Sequence, residues 1–580
     1  MKKTIFIFTL ILWSFISNAQ VYSSFNNLSL ERVYVHQNAT LLFVGEYLYY
    51  KVYSLEVENN KPSKASKIAY VELIGKNNTV VFKQKIRLEN SVGQGEFFIP
   101  TTVPSGNYKL LAYTQWMQNN TSFQYFESEL NIINPYLGDQ SEVVISNTPN
   151  EVPSVSENET TPTRIYKHRK FQLLSDKETY GKREKVTLQF VNAKGEIGYG
   201  NYSISVRKID LINRVDSYSA TSFYADNATQ KIIRKIQTKN YIPEEKGELI
   251  SGKIVRKDNG LPVQDKSVTI SIPGESFFFK IDKTNRKGEF NLFLNEDYDG
   301  DSALVQIVGN DRNEFNLTID EPISIDYNKV KFNKFSITPN DKDFILNRSV
   351  NNQIENSYFS VKPDSILSFS AKKYFYNSEK SKVYILEEYQ KFPTLNEVFI
   401  EVIDPVYKKR IDGEISFYIK HRNDYVDDGA PPLVIMDGIM VQDYKALLAY
   451  NASKVDKVII LSDRVYFGTE VFTGVIAIET KEGVFKDDIN KNEVASIGLF
   501  KPLSIKKYYH QEYDVENIKE TSRIPDYRNQ LLWLPNIELS ATSMDFSFYT
   551  SDVSGTYEVI LEGFSQIGEA ISLRKKIKVK

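Results

Sequence analysis

Short runs of alternating apolar and polar residues, separated by turn residues, recur along much of this 580-residue chain. A period of two places the apolar side chains of a strand on one face of a sheet. Between residues 31 and 135 the clearest runs are 48–53, 68–73, 80–84 and 108–113. The 37 Tyr and 35 Phe suit half-buried strands, since aromatic residues fit a pleated surface. The pattern predicts a mainly β chain of antiparallel sandwiches in tandem.

The sequence contains no cysteine, so no disulfide bond can hold a domain together. Each domain therefore needs its own hydrophobic core, and 41% hydrophobic residues are enough to build several. The length predicts about four domains. The net charge of −2 implies no general attraction to nucleic acid or to anionic lipid.

The first residues have the composition of a secretory leader. Lys2 and Lys3 precede an apolar run at 5–16, and the small residues Ser17 and Ala19 follow it. The apolar run is short for a membrane span, so we expect a signal peptide that is cleaved after Ala19. The mature protein is then expected in the periplasm or at the outer membrane, with no transmembrane segment.

The stretches 34–36, 45–46, 104–108 and 112–117 form a first set of strand and turn residues, and the stretch 176–186 forms a second. Both sets resemble the sandwich domains of alpha-macroglobulins, as bacterial envelope proteins use them. A third resemblance of this kind is in the C-terminal stretch, where Trp533 is expected in the core and Gly555 in a turn. Macroglobulins trap proteases through a bait region and a thioester built from Cys and Gln. Without cysteine, that covalent chemistry is impossible here.

A different small sandwich is predicted further along the chain. The stretches 250–255, 260–263, 268–272 and 284–290 resemble the carboxypeptidase regulatory-like domain. That family has no catalytic machinery. In this resemblance Gly288 makes a turn and Phe290 begins a core strand.

The segments 432–440, 454–461, 466–469 and 474–480 resemble the plug domain of TonB-dependent outer-membrane transporters. Asp437 and Gly438 form a tight-turn pair between apolar strands. A transporter needs many further membrane strands, whereas 97 residues follow residue 483 (580 minus 483). The resemblance therefore implies a mixed α/β fold and a docking role, but not import.

These patterns together give the expected domain organisation. The predicted segments are 1–19 signal peptide, 20–135 macroglobulin-type sandwich, 136–164 linker, 165–215 second macroglobulin-type sandwich, 216–247 connector, 248–325 carboxypeptidase regulatory-like sandwich, 326–374 connector strands, 375–490 plug-like domain and 491–580 C-terminal macroglobulin-type sandwich.

The sequence gives no catalytic constellation. His36, His168, His421 and His510 are in four different regions, and phosphate-binding loops, nucleophile elbows and zinc-helix motifs are missing. We therefore expect no enzyme activity, no cofactor and no metal requirement. The acidic pairs 427–428 and 487–488 are interpreted as solvated loop residues, with a loosely bound Ca²⁺ left open.

Two functions remain open at this point. The first is a non-enzymatic envelope adaptor of a Gram-negative bacterium, docked on an outer-membrane barrel, transporter or other envelope protein. The second is a non-covalent macroglobulin-like protease-binding protein. The candidate partner-binding residues are Tyr466, Phe467 and Phe472, which lie around a turn between Gly468 and Gly474. The alternative is that these rings close the core of the domain.

Overall fold

The computed structural model describes most of the chain, and strands dominate it. The described residues are 28–120, 124–140, 143–144, 171–210, 212, 217–227, 241–274, 277–322, 324–367, 375–411, 413–420, 430–468, 470–483, 485–488, 494–513 and 523–580. The predicted mainly β fold class is confirmed. No helix within these residues is both long and apolar enough to cross a membrane. The expected signal peptide lies outside the described residues.

The chain forms two compact units. Unit 1 comprises Met1–Glu245, Ser324–Ser368 and Pro502–Lys580, and unit 2 comprises Lys246–Ile323 and Phe369–Lys501. Strands and helices are numbered along the whole chain. Unit 1 contains β1 (Glu31–Gln37), β2 (Leu41–Phe43), β3 (Tyr47–Glu56), β4 (Ile68–Gly75), β5 (Thr79–Arg87), β6 (Val92–Phe98), β7 (Gly106–Tyr113), β8 (Phe126–Ile133), β9 (Phe171–Ser175), β10 (Thr179–Tyr180), β11 (Lys185–Asn192), β12 (Gly200–Lys208), α1 (Ala220–Asn227), α2 (Lys342–Ser357), β19 (Ser365–Ile366), β30 (Lys506–Lys507), β31 (Gln530–Leu539), β32 (Ser543–Tyr549), β33 (Gly555–Ser565) and β34 (Ala570–Val579).

Unit 2 consists of a sandwich and an α/β domain. Its elements are β13 (Glu248–Arg256), β14 (Ser267–Ile272), β15 (Phe278–Lys283), β16 (Glu289–Leu294), β17 (Ser302–Ile307), β18 (Phe315–Ile319), β20 (Lys382–Ile385), α3 (Leu395–Glu401), β21 (Val406–Ile411), β22 (Glu414–Ile419), β23 (Leu433–Met436), β24 (Ile439–Met440), α4 (Tyr444–Ala449), β25 (Val455–Leu461), β26 (Val465–Phe467), β27 (Glu470–Phe472), β28 (Val475–Thr480), α5 (Phe485–Asp488) and β29 (Ala495–Gly498).

The first sandwich of unit 1 confirms the strands that alternation predicts. One sheet has the order β1-β3-β6 and the other the order β2-β8-β7-β4-β5. Gly45, with φ +84°, makes the bend between β2 and β3. Val33, Val35 and Val52 are buried, and Tyr34 and His36 on the other face of β1 are buried as well. The positions of the strands therefore follow the pattern of two, whereas the burial of both faces of β1 does not.

The second sandwich of unit 1 corrects the predicted domain organisation. Segments 165–215 and 491–580 are predicted as two separate sandwiches, but strands from both stretches share the same sheets. The orders are β10-β34-β33-β12-β31 and β32-β11-β9, and β12 lies between β31 and β33. Val206, Leu532 and Val559 belong to one shared core. On their own, the four strands of either stretch would leave sheet edges unpaired. The strands of the other stretch pair with these edges.

Helix α2 is attached to both sandwiches through a buried ion cluster. The Arg348 guanidinium donates to Glu46 at 2.8 and 3.0 Å and also to Asp210, and Arg207 donates to Glu46 at 2.8 Å. Burial opposes the charge of Glu46, but Arg348 and Arg207 outweigh it and lower its pKa to about 2. Three segments far apart in sequence are thereby joined by paired charges.

The sandwich of unit 2 forms as its sequence predicts, with one addition. Its sheets have the orders β16-β13-β18 and β15-β14-β17-β29. Gly288 has φ +74° in the turn before Phe290, and Phe290 is buried in the core, both as expected. Strand β29 pairs antiparallel with β17. Segment 491–580 therefore does not form one domain, because its first strand completes this sandwich.

The α/β domain of unit 2 is a mixed five-stranded sheet of order β20-β25-β28-β23-β24. Strands β23 and β28 run parallel, and the other neighbours run antiparallel. Asp437 and Gly438 both have positive φ, 48° and 81°, which fits the predicted tight turn. Helices α3 and α4 pack on one face of the sheet through Val398, Leu447 and neighbouring residues. The predicted mixed α/β unit is confirmed as a fold.

Candidate partner-binding hairpin

The predicted site is a short hairpin, β26–β27, which lies between β25 and β28 of the α/β sheet. Gly468 turns the chain with φ +61°. The register pairs Val465 with Phe472, Tyr466 with Val471 and Phe467 with Glu470. Because successive side chains of a strand point to opposite faces, Tyr466 and Val471 share one face and the other two pairs share the second. We call these the outer face and the inner face of the hairpin.

The inner face packs against β15 of the sandwich in unit 2. The Phe467 ring meets the rings of Phe279 and Phe375 at centroid distances of 5.2 and 5.1 Å, near the edge-to-face geometry that aromatic pairs favour. Phe472 is 7% exposed and joins the apolar cluster of Ile281 and Leu433. These contacts hold the hairpin on a rigid base.

A polar anchor lies beside this aromatic packing. The Glu470 carboxylate accepts hydrogen bonds from Lys283 Nζ at 2.9 Å and from Ser267 Oγ at 2.8 Å. Burial opposes ionisation of Glu470, but these two donors outweigh it and lower its pKa. The anchor fixes the turn end of the hairpin to two strands of the sandwich.

The outer face is open to solvent. Tyr466 is 66% exposed, and Val471 beside it is 36% exposed. Among the described residues, the Tyr466 ring makes no aromatic contact and its hydroxyl makes no hydrogen bond. A large ring on a rigid support loses little conformational freedom when a partner covers it. The outer face therefore has the physical character of an interface anchor.

The structure separates the three predicted binding residues. Phe472 is buried in the core, and Phe467 packs inward against other rings, which is the alternative that the sequence leaves open for them. Tyr466 alone among the three points outward, and its role in binding stays a prediction. Val471 was missed, although the alternation on either side of Gly468 places it on the same face as Tyr466.

The histidines that the structure describes do not belong to a metal-binding group. His36 is buried in unit 1, where Nδ1 lies 2.7 Å from Ser203 Oγ, and burial lowers its pKa to about 3. His168, His421 and the acidic pair 427–428 lie outside the described residues, and the side chains of pair 487–488 are not described. Within the described part of the chain, no group of three metal-ligating side chains is found.

Comparisons with known proteins give weak likenesses. No protein-family model matches the chain, and no curated protein matches its sequence. Among solved structures, Escherichia coli alpha-2-macroglobulin activated by porcine elastase is 8% identical with a TM-score of 0.24, covering 95% of this chain and 44% of that one. Salmonella alpha-2-macroglobulin reacted with methylamine is 9% identical with a TM-score of 0.23, at 95% and 40% coverage.

A third likeness is to the Yersinia pseudotuberculosis adhesin InvE, with 9% identity, a TM-score of 0.13, and 50% and 57% coverage. The chain spans less than half the length of the macroglobulins that it matches.

Proposed function

We propose that this protein is a non-enzymatic binding protein of the bacterial cell envelope, and that its α/β domain docks on an envelope protein through the outer face of the hairpin. The observation that carries the proposal is the 66% exposure of Tyr466 on a hairpin whose inner face is packed and anchored. The sandwiches then act as spacers. The leader-like first 19 residues support export to the envelope.

The exposure of the outer face favours a role of Tyr466 in binding over a role in folding. A side chain needed for folding is usually buried, whereas Tyr466 is 66% exposed and its hydroxyl makes no hydrogen bond among the described residues. Exposed aromatic rings are enriched at the centres of protein interfaces. We infer a partner with an apolar pocket or groove wide enough for one aromatic ring.

The experiment compares partner recovery by matched variants of the full chain from the envelope fraction of its own organism. A double variant, Tyr466→Ala with Val471→Ser, removes the outer face. The control is Ile400→Ala, because Ile400 is 62% exposed and belongs to helix α3 on the opposite face of the same sheet.

The proposal predicts that the double variant weakens binding by about 2 kcal/mol or more, roughly thirtyfold in Kd, while the control binds like the wild type. Equal recovery of the partner by the wild type, the double variant and the control would show that the hairpin is not part of the interface. Recovery of a protease as the hairpin-dependent partner would replace the adaptor role by a protease-binding role.

A further inference from the structure

Lys51 lies in an unusual environment between the two sandwiches of unit 1. It is in β3, and its side chain is fully buried at 0% exposure. Its Nζ donates to Asn201 Oδ1 at 2.9 Å, and it also donates to Asn536 Oδ1. Asn201 belongs to β12 and Asn536 to β31, so both acceptors come from the second sandwich. Within the described residues no carboxylate pairs with Lys51.

Burial without a counter-charge favours the neutral amine. Desolvation lowers the pKa of Lys51 well below its usual value. A neutral amine has a lone pair on nitrogen and is a nucleophile, which an ammonium is not. Both groups that accept hydrogen bonds from the amine are carboxamides, and the carbonyl carbon of a carboxamide is an electrophile.

A proton acceptor stands beside the amine. His36 is the direct cross-strand partner of Lys51 in the β1–β3 register, so the two side chains share one face of the sheet. When His36 Nδ1 donates to Ser203 Oγ, the lone pair of Nε2 is free. Nε2 is buried and has no hydrogen-bond partner among the described residues.

The carboxamide is held in place from its other end. Asn536 Nδ2 donates to Gln94 Oε1 at 2.6 Å, and Gln94 Nε2 donates to the Lys506 carbonyl at 2.6 Å. Asn536 itself lies at the exposed rim of the contact between the sandwiches. Ammonia leaving from this amide therefore has a route to solvent.

We propose that Lys51 and Asn536 form an isopeptide bond that covalently joins the two sandwiches of unit 1. Lys51 Nζ attacks Asn536 Cγ, which forms a C–N bond and a tetrahedral intermediate. His36 Nε2 takes one proton from Nζ and transfers it to the departing amide nitrogen, and the old C–N bond breaks. The products are a secondary amide and one molecule of ammonia, with no redox change and no co-reactant.

The bond connects the N-terminal sandwich to a strand near the end of the chain. Without this bond, the two sandwiches are covalently connected only through the main chain. A cross-link that closes a loop of this length restricts the unfolded chain and stabilises the folded one. It would serve in the envelope the purpose that disulfides serve in other exported proteins, in a chain without cysteine.

The test is the intact mass of the full chain, purified after export, against the same chain carrying Lys51→Met. After correction for the substitution, the wild type is expected to be lighter by one ammonia. Peptide mapping is expected to find the peptides of Lys51 and Asn536 joined. A wild-type mass equal to the summed residues, with both peptides recovered separately, would overturn the proposal without any variant having to fold.

Three further variants assign the roles. Lys83→Met is the matched control, because Lys83 of β5 forms an ion pair with Glu72 at 2.8 Å, and it should keep the mass deficit. Asn536→Ala should lose the deficit, and a deficit that persists would show that Asn536 is not the electrophile. In protein folded for the first time from denaturant-solubilised inclusion bodies, in which the bond has not yet formed, His36→Gln should slow the appearance of the deficit at least tenfold. An unchanged rate would show that His36 does not take part in the reaction.

Discussion

At the residue scale, Glu562 is the buried side chain with the clearest link to pH. It lies in β33, and Oε2 accepts hydrogen bonds from Ala220 N at 2.8 Å and from Ser572 Oγ at 2.5 Å. Oε1 has no partner among the described residues. Burial raises the pKa of Glu562 to about 7, which the hydrogen bonds only partly offset. The folded protein therefore holds a proton there that the unfolded chain releases near pH 4.5.

This shift predicts how stability changes with pH. A raised carboxyl pKa means that the folded state binds more protons than the unfolded state between about pH 4.5 and 7. The contribution of Glu562 to stability is therefore present at low pH and is lost as pH rises through 7. Glu562→Gln, which is neutral at all pH values, should be more stable than the wild type at pH 8 by up to roughly 3 kcal/mol.

The measurement is urea unfolding of both proteins at pH 5, 6, 7 and 8. The difference between variant and wild type should shrink as pH falls and be below about 1 kcal/mol at pH 5. His36 contributes with the opposite sign, because its pKa of about 3 makes folding lose stability below pH 6.5, but this part is common to both proteins and cancels. A difference that grows with falling pH would contradict the assignment.

At the element scale, the hairpin β26–β27 combines a packed inner face and an exposed outer face in six residues. Phe472→Ala on the inner face should destabilise unit 2 by about 3–5 kcal/mol, because it leaves a cavity in a packed cluster. Tyr466→Ala on the outer face should change stability by no more than about 0.5 kcal/mol. Thermal unfolding of the two variants checks this. Equal losses would mean that Tyr466 packs in solution.

Helix α2 gives a second prediction at this scale. Arg348→Met should destabilise unit 1 by about 3–5 kcal/mol, since it leaves Asp210 and part of Glu46 without their buried partner. Leu346→Ala on the same helix is the control, because Leu346 is 57% exposed and should cost about 0.5 kcal/mol. Urea unfolding separates the two. A loss below about 1 kcal/mol for Arg348→Met would show that the cluster does not hold the helix.

Elements were also what the sequence predicted best. The strands around 48–53, 268–272 and 455–461 form where alternation or an apolar run predicts them, since this pattern depends on neighbours in the chain. For Trp533, the same reasoning predicts burial but not the residues that it packs against. It is buried as expected, at 4% exposure, but against His36 and Tyr49 of the other sandwich. A local pattern predicts burial but does not identify the partner.

At the scale of the whole molecule, each compact unit is built from segments that are far apart in the sequence. The sequence patterns do not predict this arrangement. Strand β12 is complete as a local pattern, yet its neighbours β31 and β33 come from the far end of the chain. No residue type marks such a pairing, because it depends on which open edges remain after the local elements form. The predicted count of sandwiches was therefore too high for unit 1.

This organisation predicts the effect of truncation. A chain that ends at Lys501 lacks β31 to β34 and leaves β9 to β12 with open edges and half a core. Limited proteolysis should cleave the 171–210 stretch rapidly in the truncated chain, while the α/β domain of unit 2 stays protected. Equal protection of 171–210 in both proteins would contradict the shared sandwich.

The proposed contact between the outer face of the hairpin and a protein partner in the envelope can be tested directly. A photo-crosslinking amino acid is placed at position 466 of the full chain in living cells, with position 400 as the matched exposed control. We expect one discrete protein adduct from position 466 and none from position 400. No adduct at 466, or the same adducts from both positions, would contradict it.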